Sequence, residues 1–268
     1  MNAKLPHYEV YALRYATVDR VRNDNFIAHD PHDAPMPMDY FVWLIKGTER
    51  TILVDTGFNE RAALDRQRTF IRCPISALAS LGIAPQDVDD IIVTHLHYDH
   101  AGNLDLLPNA RIHIQDAEVN YATGRYMTQP LLRHAYSVND VAGLIKDVYA
   151  GRVSFYDGDA RFAPGIELIL IGGHTKGLQA VRVHTQLGWV VLASDASHFY
   201  ENFMRASPFP IVHDIGEMLE GFDRLRAAAD DEGYIVPGHD PQVLTRFPAV
   251  ALDGDVVAIH EYRKTISP

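Results

Sequence analysis

The segment Thr94-His95-Leu96-His97-Tyr98-Asp99-His100 constrains this chain more than any other feature. It sets three imidazoles and a carboxylate directly behind Asp90 to Val93, which reads as a short buried strand. Those side chains are the borderline ligands that divalent zinc, iron, cobalt and manganese accept. In an extended loop His95 and His97 point to the same side, so one ion can take both, while Asp99 and His100 can turn toward a second. The competing explanation is an unusually polar surface loop, and chance seldom produces this pattern.

Three later positions have the same character, each just past the end of an apolar run. His174 follows Gly172-Gly173, Asp195 follows Val190-Val191-Leu192-Ala193, and His239 follows Ile235-Val236-Pro237-Gly238. Ligands at strand ends can be gathered along one edge of a sandwich, on loops held by a rigid scaffold. Taken singly, each could equally be a hydrogen-bonded structural histidine or a turn-forming aspartate. Their order after the first cluster favours ligation.

With 268 residues, 47% of them apolar types, the chain can bury a sizeable core without covalent staples. The single cysteine, Cys73, excludes an internal disulfide framework and a cysteine-rich zinc site. A formal charge of −11, from 24 basic and 35 acidic residues, disfavours nucleic acid and anionic membranes as partners. No apolar run reaches the length of a membrane span, and the first residues lack a signal-like stretch, so a cytoplasmic location is expected.

Strands are expected at His7–Tyr15, Tyr40–Lys46, Arg50–Val54, Asp90–Val93, Arg111–Gln115, Val153–Tyr156, Glu167–Ile171, Gln179–His184, Trp189–Ala193 and Tyr234–Val236. Helical spacing covers roughly Glu60–Leu81 with a break at Pro74, then Ala117–Gly124, Val138–Ala150 and Glu217–Ala229. Asn23 to Pro37, dense in Asp, Asn, His and Pro, reads as a loop. Helices and strands alternate without a Pro/Gly/Ser-rich linker, which predicts an α/β or α+β sandwich forming one domain over residues 1–268. The loop at about 20–38, with its His29, Asp30, His32 and Asp33, is read as a pocket rim or oligomer contact rather than a third metal site.

The string His95, His97, Asp99, His100, His174, Asp195 and His239 resembles the metal signature of the metallo-β-lactamase superfamily. Val54-Asp55-Thr56-Gly57 resembles that superfamily's upstream Asp-Thr-Gly turn, and the match runs from about Tyr40 to His239. Asp195-Ala196-Ser197 and Gly238-His239-Asp240-Pro241 are most similar to the N-acyl-homoserine lactonases and related lactone hydrolases. The resemblance implies a four-layer αββα sandwich with two divalent ions at one edge, zinc first and iron, cobalt or manganese as alternatives. It implies that His95, His97 and His174 hold one ion, that Asp99, His100 and His239 hold the other, and that Asp195 bridges them. Asp55 would orient a ligand histidine by accepting its other ring N–H. A homodimer is also implied.

Two motifs depart from the family pattern. Lactonases of this kind usually carry a tyrosine three residues after the bridging aspartate, where this chain has His198, with Tyr200 two positions further on. Either His198 or Tyr200 is the expected substitute in catalysis, beside Asp99 as a proton carrier. The usual Pro-Gly-His-Thr-Pro-Gly-His run is altered to Gly172-Gly173-His174-Thr175-Lys176-Gly177. Tyr126, Met127, Phe199, Phe203 and Met204 are read as an apolar substrate wall, with core packing as the alternative.

The resulting expectation is a hydrolase that opens a lactone ring, such as that of an N-acyl-homoserine lactone, by attack of a metal-bridging hydroxide. Such an activity would make it a quorum-quenching enzyme. The absence of a Gly-x-Ser-x-Gly elbow fits a metal route. The alternatives are hydrolysis of a cyclic amide, a thioester as in glyoxalase II, or an organophosphate ester. A non-catalytic metal-binding protein on the same scaffold is the reading from another class.

Overall fold

A computed structural model describes residues 5–261. The reading of the extreme N-terminus and the outer ends of the expected 1–268 unit lie outside the described residues. The strands of the first half are β1 (Glu9–Val18), β2 (Met38–Lys46), β3 (Thr51–Val54), β4 (Thr69–Phe70), β5 (Asp90–Ile92), β6 (Arg111–Gln115) and β7 (Val153–Tyr156). Those of the second half are β8 (Ala160–Ala163), β9 (Ile166–Leu170), β10 (Gln179–Thr185), β11 (Gly188–Ser194), β12 (Ile235–Pro237), β13 (Ala249–Ala251) and β14 (Val256–Ala258). They form a nine-stranded sheet ordered β13-β14-β1-β2-β3-β5-β6-β7, with β4 paired to β1, and a five-stranded sheet ordered β12-β11-β10-β9-β8.

Strand β2 shows why the sheets stack. Eight of its nine residues are buried, on both faces. Its alternating side chains split into two sets, since successive residues of a strand point to opposite faces. Phe41, Trp43 and Ile45 enter a core with Ile166, Val181 and Val191 of the second sheet, to which the helix Ile215–Ala228 adds Met218, Phe222 and Leu225. Val42 and Leu44 enter the other core, with Leu78, Leu104, Tyr121 and Leu144. Full burial of each such side chain contributes about 1.5–3 kcal/mol relative to exposure. Helices thus cover the outer faces of two packed sheets, the αββα arrangement.

Parallel pairings aim several strand ends at one edge. Strand β3 pairs β5 in parallel, and β11 pairs β12 in parallel, so the loops leaving β3, β5, β11 and β12 emerge together. Among the described residues no helix is long and apolar enough to cross a membrane.

Some local expectations are corrected. The helix expected over Glu60–Leu81 is broken into Glu60–Asp65, strand β4, and turns at Pro74–Ala77 and Leu78–Leu81. Gln67 adopts a left-handed φ of 56°, and Thr69–Phe70 pairs with Ala16–Thr17 of β1, so edge pairing overrides helical propensity. The short strands β8, β13 and β14 lie outside the segments that the sequence pattern marks as strands.

Candidate metal centre

Each donor leaves the end of a strand. His95 and His97 lie in the loop after β5, Asp99 and His100 on the short helix Tyr98–Ala101, His174 after β9, Asp195 after β11 and His239 after β12. The structure brings all seven together in two groups. In the first, His174 Nε2 lies 3.2 Å from His95 Nε2, 3.0 Å from His97 Nδ1 and 3.3 Å from Asp195 Oδ2. In the second, Asp99 Oδ2 lies 3.9 Å from both His100 Nε2 and His239 Nε2. The other oxygen of Asp195 reaches this group, at 3.3 Å from His100 Nε2 and 3.0 Å from His239 Nε2. Asp195 therefore faces both groups, one oxygen to each.

The separations of 3.0–3.3 Å also suit donors that share a cation. Ligand atoms on a tetrahedron about 2.0–2.1 Å from an ion stand about 3.3 Å apart. The far nitrogens settle where the protons are. His174 Nδ1 donates to the Ile211 carbonyl at 2.7 Å, His239 Nδ1 to the Asp39 carbonyl at 2.8 Å, and His100 Nδ1 to Asp55 Oδ2 at 2.7 Å. In the neutral rings the Nε2 lone pairs then point inward. His100 Nε2 and Asp195 Oδ1 are buried without a hydrogen-bond partner. Buried polar atoms left so are costly, and a cation between them removes the cost.

The electrostatics agree. Burial, together with the neighbouring imidazoles, holds His95 and His97 well below the usual histidine range, so both are neutral and able to ligate. Burial also opposes charge on His100, but Asp195, Asp55 and Asp99 outweigh it and raise its pKa well above the ordinary value. That side of the site draws positive charge.

Asp55 braces the second group. Besides His100 it accepts from the Thr94 N–H at 2.7 Å and the Thr94 hydroxyl at 2.8 Å. Asp55 and Ser194 hold φ of 61° and 47°, left-handed conformations that cost about 1–3 kcal/mol each outside glycine. Ser194 Oγ, 2.9 Å from Thr94 Oγ1, ties the β11 turn to the loop after β5. Gly173, with φ 76°, lets the loop of His174 pass close to Met218, where a Cβ would stand 2.6 Å from its backbone.

The remaining expected site residues separate. His198 Nε2 lies 3.0 Å from Asp195 Oδ2, and its ring stacks on Phe209 at 3.6 Å. Burial pushes its pKa down to about 3, against the pull of Asp195, so the neutral ring donates to that carboxylate. Tyr200 is turned into the core beneath Arg246, its hydroxyl buried without a partner, so His198 rather than Tyr200 stands at the donors. Phe199 and Phe203 are core residues rather than a wall, because the helix Tyr200–Met204 turns them inward. Met204 is exposed, and Tyr126 packs on Tyr121 and His213. Met127 lines an apolar groove of about 510 Å³ with Pro130, His134 and Val141. The cleft that touches the donors is a smaller one of about 80 Å³ between His97, His174, Tyr121, Leu132, Ile211 and His213. Its apolar walls come from loops far apart in sequence, and no single-segment pattern marks them.

The loop at 20–38 folds onto the chain that follows Asp195. Arg22 makes a two-pronged ion pair with Glu201 at 2.6 and 2.7 Å, Phe26 lies against Phe199, and the Ile27 N–H donates to the Pro208 carbonyl. His29 and Asp33 join no donor cluster among the described residues, and Asp30 pairs with Arg22 and His32.

Comparison with known proteins places this geometry. A family model described as the metallo-beta-lactamase superfamily matches residues 36–239. An N-acyl homoserine lactonase of Bacillus thuringiensis is 32% identical over 219 residues, covering 74% of this chain and 81% of the relative. The crystal structure of a quorum-quenching N-acyl homoserine lactone lactonase superposes with a TM-score of 0.74 at 26% identity, covering 90% of this chain and 95% of that one. An N-acyl homoserine lactone hydrolase with N-hexanoyl-L-homoserine bound at its catalytic metal center gives a TM-score of 0.74 at 25% identity, with 90% and 96% covered.

Proposed function

Because this chain belongs to the metallo-beta-lactamase superfamily, we propose that it is a two-cation hydrolase that opens a lactone ring, of an N-acyl homoserine lactone or another small lactone. The observation that carries the reading is the pair of donor groups joined by Asp195, with His100 Nε2 and Asp195 Oδ1 buried between them without a hydrogen-bond partner. His95, His97 and His174 would hold one cation and Asp99, His100 and His239 the other, with zinc the first choice of metal. Two such cations would supply a water acidic enough to attack near neutral pH and a Lewis acid for the substrate carbonyl.

The chain's own groups do the rest. Asp99 is the most exposed of the seven donors, at 9%, and is placed to carry a proton toward the departing oxygen. His198 gives the one N–H of its neutral ring to Asp195, and once that carboxylate is engaged by cations the N–H would be free to polarise the carbonyl. The small cleft beside His97 and His174 opens onto the donors and would admit the reacting end of a substrate.

His198 also favours a second reading, hydrolysis of a cyclic amide, thioester or organophosphate ester, since a different donor at that position suits a different oxygen. A panel of all four substrate classes, followed by chromatography of the products, separates them. Chelation should abolish ring opening and zinc should restore it; full turnover by metal-free protein overturns the proposal.

A further inference from the structure

One buried carboxylate takes no direct part in either donor group. Glu118 sits in the helix Asp116–Ala122 that follows β6 and is completely buried. A carboxylate so far from water is tolerated only when its lone pairs meet donors. Four donors reach it. Oε1 accepts from the Leu96 N–H at 2.9 Å and the Tyr136 hydroxyl at 3.0 Å. Oε2 accepts from the Thr175 hydroxyl at 2.6 Å and the Gly177 N–H at 3.2 Å.

The identity of these donors gives the carboxylate its meaning. Leu96 separates His95 from His97, and Thr175 follows His174. Tyr136 sets its ring edge-on to His97, with centroids 4.6 Å apart, and bridges it through the backbone. Gly177 permits the approach, since a Cβ there would stand 2.1 Å from the Glu118 nitrogen. The four bonds therefore run to the residues beside His95, His97 and His174, whereas the brace of the other group is Asp55 on His100. An apolar side chain in its place would leave the Leu96 and Gly177 N–H groups buried without an acceptor, so the carboxylate serves both loops at once. What the ion adds is a fixed distance between two loops.

We infer that Glu118 is a positioning residue for the three-histidine cation position, locking the loop after β5 to the loop after β9. The inference rests on the two-cation reading of the site. Substitution Glu118→Gln keeps the shape but turns an amide NH2 toward either the Leu96 or the Gly177 N–H, donor against donor. The second variant, His239→Ala, removes a donor from the other position.

The test is zinc content by elemental analysis, after equilibration of folded protein with graded concentrations of a chromophoric chelator. Wild type should hold two zinc ions. Glu118→Gln should keep one and release the other 10–100-fold more readily. His239→Ala should keep one, and the double variant none, while circular dichroism shows each still folded. Two ions held by Glu118→Gln with wild-type affinity overturn the inference, as does equal weakening of both. A wild type that binds no zinc overturns the two-cation reading itself. Should Glu118→Gln not fold, Thr175→Val, which removes one of the four bonds, is measured instead; it should loosen one ion selectively, and uniform or absent loosening overturns the inference.

Discussion

At Asp195 a single carboxylate faces five imidazoles: His95, His100, His174, His198 and His239. Burial alone would raise its pKa, yet the histidines hold it well below the usual carboxylate range, led by His239 and His100. His198 is the member of this set that ligates neither cation in the proposed scheme, so its removal isolates a chemical role. In His198→Phe, kcat for lactone opening should fall about 100-fold, the scale set by losing one oxyanion donor, with both cations retained. Unchanged kcat measured under saturating zinc would remove His198 from the mechanism. The donors were legible because their residue types recur in order beside apolar runs, a pattern that survives without coordinates. Glu118 was not: a lone glutamate early in a helix looks like any solvated one, and only packing put it out of water.

Among the elements, the loop at 20–38 shows how a polar segment earns its place. Its hold on the chain after Asp195 is the Arg22–Glu201 pair, whose geometry is two-pronged and whose side chains are 24% and 21% exposed. The Arg22 hydrogen bond lowers the pKa of Glu201 from its ordinary 4.5. A carboxylate with a depressed folded pKa contributes stability that is complete above the unfolded value and disappears as pH falls through the folded one. Glu201→Gln should therefore lower stability by up to about 1 kcal/mol at pH 7, as for a partly exposed pair, and the gap from wild type should close below pH 4.5. Thermal unfolding of both proteins from pH 7 to pH 4 measures it; a gap constant across that range contradicts the assignment. Sequence spacing located most strands, but it extended one helix through Gln67–Phe70, where pairing with β1 took over. It also set Phe199 and Phe203 along a substrate wall, because the direction a five-residue helix faces is decided by what it packs on.

For the molecule as a whole, the site is a seam between two sheets. The loops after β3 and β5 come from the larger sheet, and those after β9, β11 and β12 from the smaller. Cations bound there cross-link the two halves, and ions that bind only the folded state stabilise it by mass action. Free zinc at one hundred times its dissociation constant should add about 2.7 kcal/mol per site, read as a rise in Tm over chelated protein. A Tm indifferent to zinc would mean the ions do not join the sheets. The order of residues was enough to single out the seven donors that the fold gathers, and to call for an apolar alternating scaffold to hold them, because ligand types and periodicities are local properties. It took the folded chain to show that His198 and not Tyr200 meets Asp195, that Leu132, Ile211 and His213 wall the cleft, and that Glu118 is sealed between two loops. Those facts depend on which distant segments touch, and contact between distant segments is set by the packing of whole sheets.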